Sequence, residues 1–133
     1  MASRRITQLY DSALASVGLT VTQYSLLAEL AKLGAMAPTV TELADAMVMD
    51  RSGLGHTLIP LKRDGLIRVA VDSHDARVRN VILTAEGKAL QKRATVFWRR
   101  AQNKFADTFG LRRAADLRTF LLAIAHDERL SLS

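Results

Sequence analysis

The sequence contains no cysteine, which excludes a disulfide framework, a cysteine zinc site and a thiol redox switch. The three histidines, His56, His74 and His126, lie far apart without ligand spacing, so we expect neither a metal nor a cofactor. No apolar run approaches the ~18 residues that a membrane span needs, and the N-terminal segment lacks the apolar centre of a signal peptide. These absences lead us to expect a cytoplasmic protein with no membrane partner.

The net charge of +6 is concentrated in one part of the chain. Residues 51–104 carry 12 Lys and Arg against 4 Asp and Glu, whereas the remainder carries 7 basic and 9 acidic residues. A localised surplus favours a polyanionic partner, of which nucleic acid is the simplest. A generic basic surface that aids solubility is the alternative, and charge alone does not separate the two.

Hydrophobic spacing and capping signals predict a mainly α (α+β) chain of four helices, two strands and two further helices. Capping boxes begin at Thr20 and Thr39, and Asp50 is a plausible N-cap after a turn at Met49-Asp50. The helices are predicted at residues 4–17, 21–33, a short stretch after Thr39, 51–64, 85–109 and 112–129. The strands are predicted at 66–71 and 78–83, joined by the polar turn 72–77.

The terminal helices carry more apolar residues than a small central module can cover. These residues either form an internal core or belong to an interface in which the terminal helices of two chains interleave. We favour the homodimer, because these helices would otherwise pack on little. The residues expected at the interface are Ile6, Leu9, Phe97, Phe105, Leu117, Phe120, Leu121 and Ile124.

The predicted helix 51–64 has two chemically different faces. Three leucines fall within a narrow arc of the helical wheel, and a set that can contact bases falls opposite. The leucines are Leu54, Leu58 and Leu61, and the opposite set is Ser52, His56, Ile59 and Arg63. An outward isoleucine suits a thymine methyl, and Gly53 and Gly55 let the backbone approach a phosphate or a groove wall. A plain surface helix with accidental glycines is the alternative.

The order short helix, helix 51–64 and hairpin is the layout of a winged helix-turn-helix, whose second helix enters the DNA major groove. Thr39 and Thr41, at the start of the first of these helices, are candidates for phosphate contacts. The hairpin adds Asp75, Arg77 and Arg79 to a predicted DNA-binding set that also contains Arg51. Two arginines can reach a phosphate or the minor groove, and Asp75 can fix Arg77 by a bidentate bond. An ordinary solvated turn is the alternative.

The chain resembles the MarR (multiple antibiotic resistance regulator) family of winged helix-turn-helix regulators. The resemblance is carried by LTVTQYSLLAEL, TVTELADAMVMDRSGLGHTLIPLKRDGLI, DSHDARVRNVILT and LTAEGKAL. The family's wing reads D-x-x-D-x-R before L-T-x-E-G, and the matching residues are Asp72, Asp75, Arg77, Leu83, Thr84, Glu86 and Gly87. It implies one domain over 1–133, with a winged helix-turn-helix at 19–90 and dimerisation helices at 1–18 and 91–133.

The resemblance further implies a repressor that binds a pseudo-palindromic operator in double-stranded DNA as a homodimer. Many family members release DNA when a small phenolic or anionic effector binds between the dimerisation helices and the winged module. Tyr10, Tyr24 and Trp98 are the candidates for lining such a pocket, and core packing is the alternative for each. Without cysteine, the thiol-dependent peroxide-sensing variety is excluded.

Three other functions compete with this interpretation. An enzyme is disfavoured, because no spacing indicates a nucleophile with its base, a metal site or a phosphate-binding glycine loop. A sequence-indifferent nucleic-acid binder would show a steep salt dependence and little sequence preference. A winged helix that only binds protein is disfavoured by the arginines of the hairpin and by the outward polar set of helix 51–64.

Overall fold

The computed structural model describes residues 2–109 together with residues 116, 118, 119 and 122. Within that part of the chain the elements are α1 (Ala2–Ala15), α2 (Val21–Leu33), α3 (Val40–Ala46), α4 (Arg51–Arg63), β1 (Ile67–Val71), β2 (Arg79–Leu83) and α5 (Ala85–Phe109). The predicted class, mainly helical with one hairpin, is confirmed. The predicted helix 112–129 lies outside the described residues apart from the four named above. So do the predicted interface residues Leu117, Phe120, Leu121 and Ile124.

Three helices begin where the capping signals predicted. In α2, Thr20 Oγ1 accepts a hydrogen bond from the Gln23 N–H (3.2 Å), and Gln23 Oε1 accepts from the Thr20 N–H (3.0 Å). Thr39 and Glu42 make the same reciprocal pair at α3. Asp50 caps α4 by accepting from the Gly53 N–H at 2.6 Å. These side chains satisfy amide groups that the first turn of a helix leaves free.

Three helices end in a Schellman motif, in which an N–H beyond the helix bonds back to a carbonyl five residues earlier. The bonds run from Leu19 to Leu14 (3.3 Å), from Met49 to Ala44 (2.9 Å) and from Leu66 to Leu61 (2.9 Å). The motif ends α1 at Ala15, two residues before the predicted end, because Ser16 to Gly18 form the turn. The turn between α3 and α4 therefore begins at Met47, two residues before the predicted Met49-Asp50.

Each motif needs one residue in the left-handed region, and the chain uses glycine in two of the three cases. Gly18 and Gly65 have φ of 72° and 73°, whereas the third position is Val48, with φ 55°. A β-branched residue at positive φ is an outlier, because its side chain crowds the backbone. The Val48 side chain is 66% exposed, so packing contributes little to offset this strain.

Replacing Val48 by glycine should therefore stabilise the protein, although glycine usually destabilises. The left-handed conformation costs an L-residue roughly 1–2 kcal/mol, and the extra freedom that glycine has in the unfolded chain offsets part of the gain. We expect the free energy of unfolding to rise by about 0.5–1 kcal/mol, measured by chemical denaturation. Val48→Ala is the control, since it keeps the strained φ, and a Val48→Gly chain no more stable than Val48→Ala would contradict this expectation.

The core is organised around α2, which packs on α1, α4, α5 and β2. Its leucines Leu26 and Leu27 are fully buried. The Trp98 ring of α5 lies between two tyrosines, with ring centroids 4.6 Å from Tyr10 and 5.2 Å from Tyr24. Burial raises the pKa of Tyr10, and the nearby positive charge of Arg118 opposes that rise. The three aromatic residues therefore join α1, α2 and α5 as one cluster, in which Tyr24 stacks on Trp98 and Tyr10 is tilted against it.

The hairpin is fastened to the start of α3. β1 and β2 pair antiparallel from Ile67 with Leu83 to Val71 with Arg79, so each strand begins one residue later than predicted. On the other side of β2, Thr39 forms a single bridge with Asn80. The Val81 N–H also donates to the Pro38 carbonyl at 2.9 Å. The hairpin and the first helix of the helix-turn-helix consequently share a backbone connection.

Candidate nucleic-acid interface

The two faces of α4 are separated in the structure as the wheel predicted. Leu54, Leu58 and Leu61 are buried, with Leu54 fully so. On the opposite side Ser52, His56, Ile59 and Arg63 are all exposed. Ile59 is 61% exposed among these polar groups, where its alkyl side chain can contact a thymine methyl. This face carries hydroxyl, imidazole, alkyl and guanidinium groups, a set that can contact base edges in a major groove.

The first turns of α4 present backbone rather than bulky side chains. Gly53 and Gly55 are half-exposed, and a Cβ built on Gly55 meets open space. Packing within the described part of the protein therefore does not require a glycine at position 55. Glycine destabilises a helix relative to alanine, and contacts within the chain do not explain its presence here. Arg51 is exposed at the start of the same helix.

Arg63, at the last turn of α4, already has an acidic partner. Its Nε lies 3.2 Å from Asp64 Oδ1, and both side chains are mostly exposed, at 70% and 56%. An exposed ion pair of this kind is held weakly, so the guanidinium can exchange Asp64 for another acceptor.

At the start of α3, the capping box that the sequence predicted engages Thr39. Thr39 Oγ1 and the Thr39 N–H are both engaged by Glu42 in the capping box, which also places a carboxylate at this helix end. A second anion is disfavoured beside that carboxylate, so Thr39 is primarily a cap. Thr41 is exposed, and its hydroxyl remains a candidate phosphate contact.

At the hairpin tip, Arg77 and Asp75 form the bidentate pair that the spacing predicted. Arg77 Nε donates to Asp75 Oδ1 at 3.2 Å, and Nη2 donates to Oδ2 at 3.3 Å. Asp75 Oδ1 also accepts from the Arg77 backbone N–H at 3.0 Å. The Arg77 side chain is 91% exposed, so the pair orients a projecting cation. The Arg77 side chain and its backbone N–H, in that order, lower the pKa of Asp75.

Two further residues organise the hairpin, and sequence reasoning missed one of them entirely. Asp72 Oδ2 accepts from the backbone N–H groups of His74 (2.9 Å) and Asp75 (3.1 Å). Asp72 Oδ1 accepts from Asn80 Nδ2 at 2.9 Å. The Asn80 hydrogen bond and then the His74 N–H lower the pKa of Asp72. We had matched Asp72 only to a family pattern and had given Asn80 no role.

The Arg79 side chain folds back onto the hairpin. Its Nη1 donates to the carbonyls of Ala76 (2.9 Å) and Val78 (3.4 Å). The residue is exposed, so its charge adds to that of Arg77 at the tip. Its contacts stabilise the turn, and the sequence had suggested only a direct role toward DNA.

A cavity of about 540 Å³ lies against α2, the α3–α4 turn and α5. Tyr24 and Trp98 line it, and Tyr10, which packs on Trp98, is not among its described lining residues. Lys32 and Arg118 contribute positive charge, and Glu29 contributes negative charge. The strained turn residue Val48 lies in its wall. Of the three residues predicted to line an effector pocket, Tyr24 and Trp98 line this cavity and also belong to the core.

The predicted dimerisation residues fall into different environments. Phe105 is buried within the single chain at 6% exposure, which makes it a core residue. Phe97 is half-buried beside a groove of about 550 Å³ that Ser16, Val17, Leu90, Arg93 and Val96 complete. Leu9 is half-buried on α1, and the side chain of Ile6 is not described. The apolar lining of this groove therefore comes from α5 and from the turn after α1.

Two other kinds of feature are missing from the described part of the chain. None of these residues forms a group of three or more His, Asp or Glu that could hold a metal ion. No helix within residues 2–109 combines the length and the apolar character that crossing a bilayer requires.

The exposed face of α4 (the recognition face), the preceding helix α3 (the bracing helix) and the β1–β2 hairpin (the wing) define a winged helix-turn-helix. The model of the MarR family matches residues 17–78. The DNA complex of the M. tuberculosis transcriptional regulator MosR is 35% identical and has a TM-score of 0.75, covering 92% of this chain and 89% of that one. The chain belongs to the MarR family of transcriptional regulators. It is a DNA-binding regulator and not an enzyme.

More distant structures share the fold. The S. aureus MepR–DNA complex has a TM-score of 0.77 at 23% identity, covering 91% of this chain and 88% of that one. Apo MarR from E. coli has a TM-score of 0.72 at 20% identity, covering 89% and 87%. No curated protein matches the chain.

Proposed function

We propose that this protein is a cytoplasmic repressor that binds a pseudo-palindromic operator as a homodimer and releases it when a small effector binds. The observation that carries the sequence-specific part is the exposed face of α4, where Ile59 stands among hydrogen-bonding groups opposite buried leucines. A helix face that contacted only phosphates would need positively charged side chains and would not need an exposed isoleucine. The MosR and MepR structures that resemble this chain are complexes with DNA.

The proposal is tested by selecting bound duplexes from random and genomic DNA fragments at physiological salt. A dimeric repressor should enrich an inverted repeat whose half-sites lie about one helical turn apart. Binding without enrichment, with affinity falling steeply as salt rises, would instead establish the sequence-indifferent alternative. Transcription from a promoter that carries the enriched repeat then distinguishes repression from activation.

The wing makes a first quantitative prediction. Arg77→Ala should weaken binding to the selected duplex by about tenfold, because a positioned cation leaves the phosphate or the minor groove. Arg99→Ala, on the exposed side of α5, is the matched control for the loss of one positive charge. Fluorescence anisotropy at physiological salt measures both. Equal affinities for the two variants would remove the wing from the interface.

A second prediction concerns Gly55 on α4, where one substitution should change stability and DNA affinity in opposite directions. Gly55→Ala should raise the free energy of unfolding by about 1 kcal/mol through helix propensity, because the added methyl group meets open space. If the helix backbone approaches the groove, the same methyl group should lower DNA affinity several-fold. Denaturation and anisotropy on one protein sample separate the two effects. A more stable variant with unchanged affinity would show that Gly55 stays clear of DNA.

The proposed effector site is the cavity against Tyr24 and Trp98. Its aromatic wall and the cations Lys32 and Arg118 suit a small aromatic anion. Val48 connects its wall to the turn that precedes α4, so a ligand there contacts the segment that positions the recognition helix.

Trp98 is the sole tryptophan, so its fluorescence reports on this cavity. Titration with benzoate should quench that fluorescence and, over the same concentrations, release the selected duplex. Lys32→Gln should shift both curves to higher benzoate concentration. Quenching without release would separate the cavity from DNA binding, and no change in either would reject aromatic carboxylates as the effector class.

A further inference from the structure

We infer that Asn80 and Asp72 form a clasp that positions the wing arginine relative to the helix-turn-helix, so that both are positioning residues for DNA binding. This inference rests on the proposed contact of Arg77 with DNA. Neither side chain need touch DNA in this arrangement, since both are half-buried at the base of the wing. The clasp is the bond from Asn80 Nδ2 to Asp72 Oδ1 at 2.9 Å.

From the clasp, hydrogen bonds run in series to the tip of the wing. Asp72 Oδ2 holds the N–H groups of His74 and Asp75, which sets the backbone of the turn. Asp75, placed by that bond, then holds the Arg77 guanidinium through both of its carboxylate oxygens. The orientation of the exposed cation therefore depends on Asp72 through the backbone of the turn and through Asp75.

From the other end, Asn80 connects the wing to the helix-turn-helix. Its backbone pairs with Ala70 of β1 on one side and bridges to Thr39 on the other. Thr39 is the N-cap of α3, which packs against α4. One residue thus joins the strand that carries the wing to the helix that braces the recognition helix.

The side chain of Asn80 is present for this bond rather than for the core. Its Oδ1 is buried and has no hydrogen-bond partner among the described residues. A buried acceptor without a partner is unfavourable, so among the described residues the Nδ2 bond to Asp72 is the contact that favours an amide at this position. The ordinary residue for a half-buried strand position would be apolar and β-branched.

The geometry allows a rescue experiment that conserves charge. Asn80→Asp places two carboxylates face to face and should open the clasp. In the double variant Asp72→Asn with Asn80→Asp, the direction of the bond reverses, because the new amide at position 72 can donate to the new carboxylate at position 80. The carbonyl oxygen of that new amide can still accept from the N–H groups of His74 and Asp75. The double variant has the net charge of the natural protein, and Asn103→Asp on the exposed side of α5 controls for the added charge of the single variant.

Two readouts are taken on each variant: the affinity for the selected duplex, and the amide hydrogen exchange of His74 and Asp75 without DNA. Asn80→Asp should weaken binding and speed this exchange by at least about tenfold each, and the double variant should recover most of both. Slow exchange in Asn80→Asp, or no recovery in the double variant, would overturn the clasp. Weaker binding with natural exchange would also overturn it, by making Asn80 a direct contact. If the natural protein selects no duplex, the proposed function fails, and the exchange measurement alone decides whether the clasp orders the wing.

Discussion

Phe97→Asp should convert the protein into a monomer and lower its affinity for the selected inverted repeat by at least about a hundredfold. The affinity loss follows from avidity, because two linked modules that engage two half-sites gain roughly 10²–10⁴ over one. Phe97 lies half-buried beside the open groove between α5 and the turn after α1, and its neighbour Val96 is 49% exposed. A carboxylate at that position would have to be desolvated in any interface formed there.

The change is measured by sedimentation and by DNA binding on the same preparation. Met36→Asp is the matched control, since it places the same carboxylate on a residue that is 80% exposed in the loop after α2. The control should remain dimeric and bind normally. A Phe97→Asp chain that stays folded, monomeric and tightly bound would contradict the dimeric repressor. If it stays dimeric, the interface lies elsewhere.

Sequence reasoning succeeded where the partners lie close together along the chain. The capping boxes join residues three apart, and the Asp75–Arg77 pair joins residues two apart. Within a turn or a helix end, such spacing already determines which groups can meet. The buried and exposed faces of α4 were predictable for the same reason, because a helix of 3.6 residues per turn fixes its faces.

Sequence reasoning failed where a contact depends on the strand register or where a residue adopts an unusual backbone conformation. Asn80 and Asp72 are eight residues apart, and they meet only because Val71 pairs with Arg79. A slip of one residue would turn Asn80 to the opposite face of the hairpin. Val48 was missed for a different reason, since a valine argues against the left-handed conformation that the Schellman motif imposes on it.

The charge distribution alone does not establish DNA binding, as the sequence already indicated. Six of the twelve basic residues between 51 and 104 lie on α5, all of them exposed: Lys88, Lys92, Arg93, Arg99, Arg100 and Lys104. Their helix is not part of the recognition face or the wing. Sequence-specific binding is therefore supported by the chemistry of the α4 face and by the ordered Arg77, and only in part by net charge.

Gly87→Ala should be strongly destabilising, although alanine is the better helix former. Gly87 lies in the first turn of α5, where a Cβ would overlap the backbone carbonyl of Leu66 and lie 2.8 Å from Leu83 Cδ1. Thr84 fixes this junction, because its Oγ1 donates to the Gly65 carbonyl at 2.6 Å and accepts from the Gly87 N–H. Since a carbonyl in a hydrogen-bonded junction cannot yield as a flexible side chain would, α5 must move away from the hairpin.

We expect the free energy of unfolding to fall by about 3 kcal/mol, at the upper end of overpacking costs, and the midpoint of thermal unfolding to fall by roughly 10 °C. Gly55→Ala is the matched control, because it makes the same change within a helix where the methyl group meets open space, and it should stabilise the protein. The opposite signs separate close packing from helix propensity. If both variants are stabilised, α5 can move from the hairpin at little cost, and the glycine of the LTAEG segment is not a packing requirement.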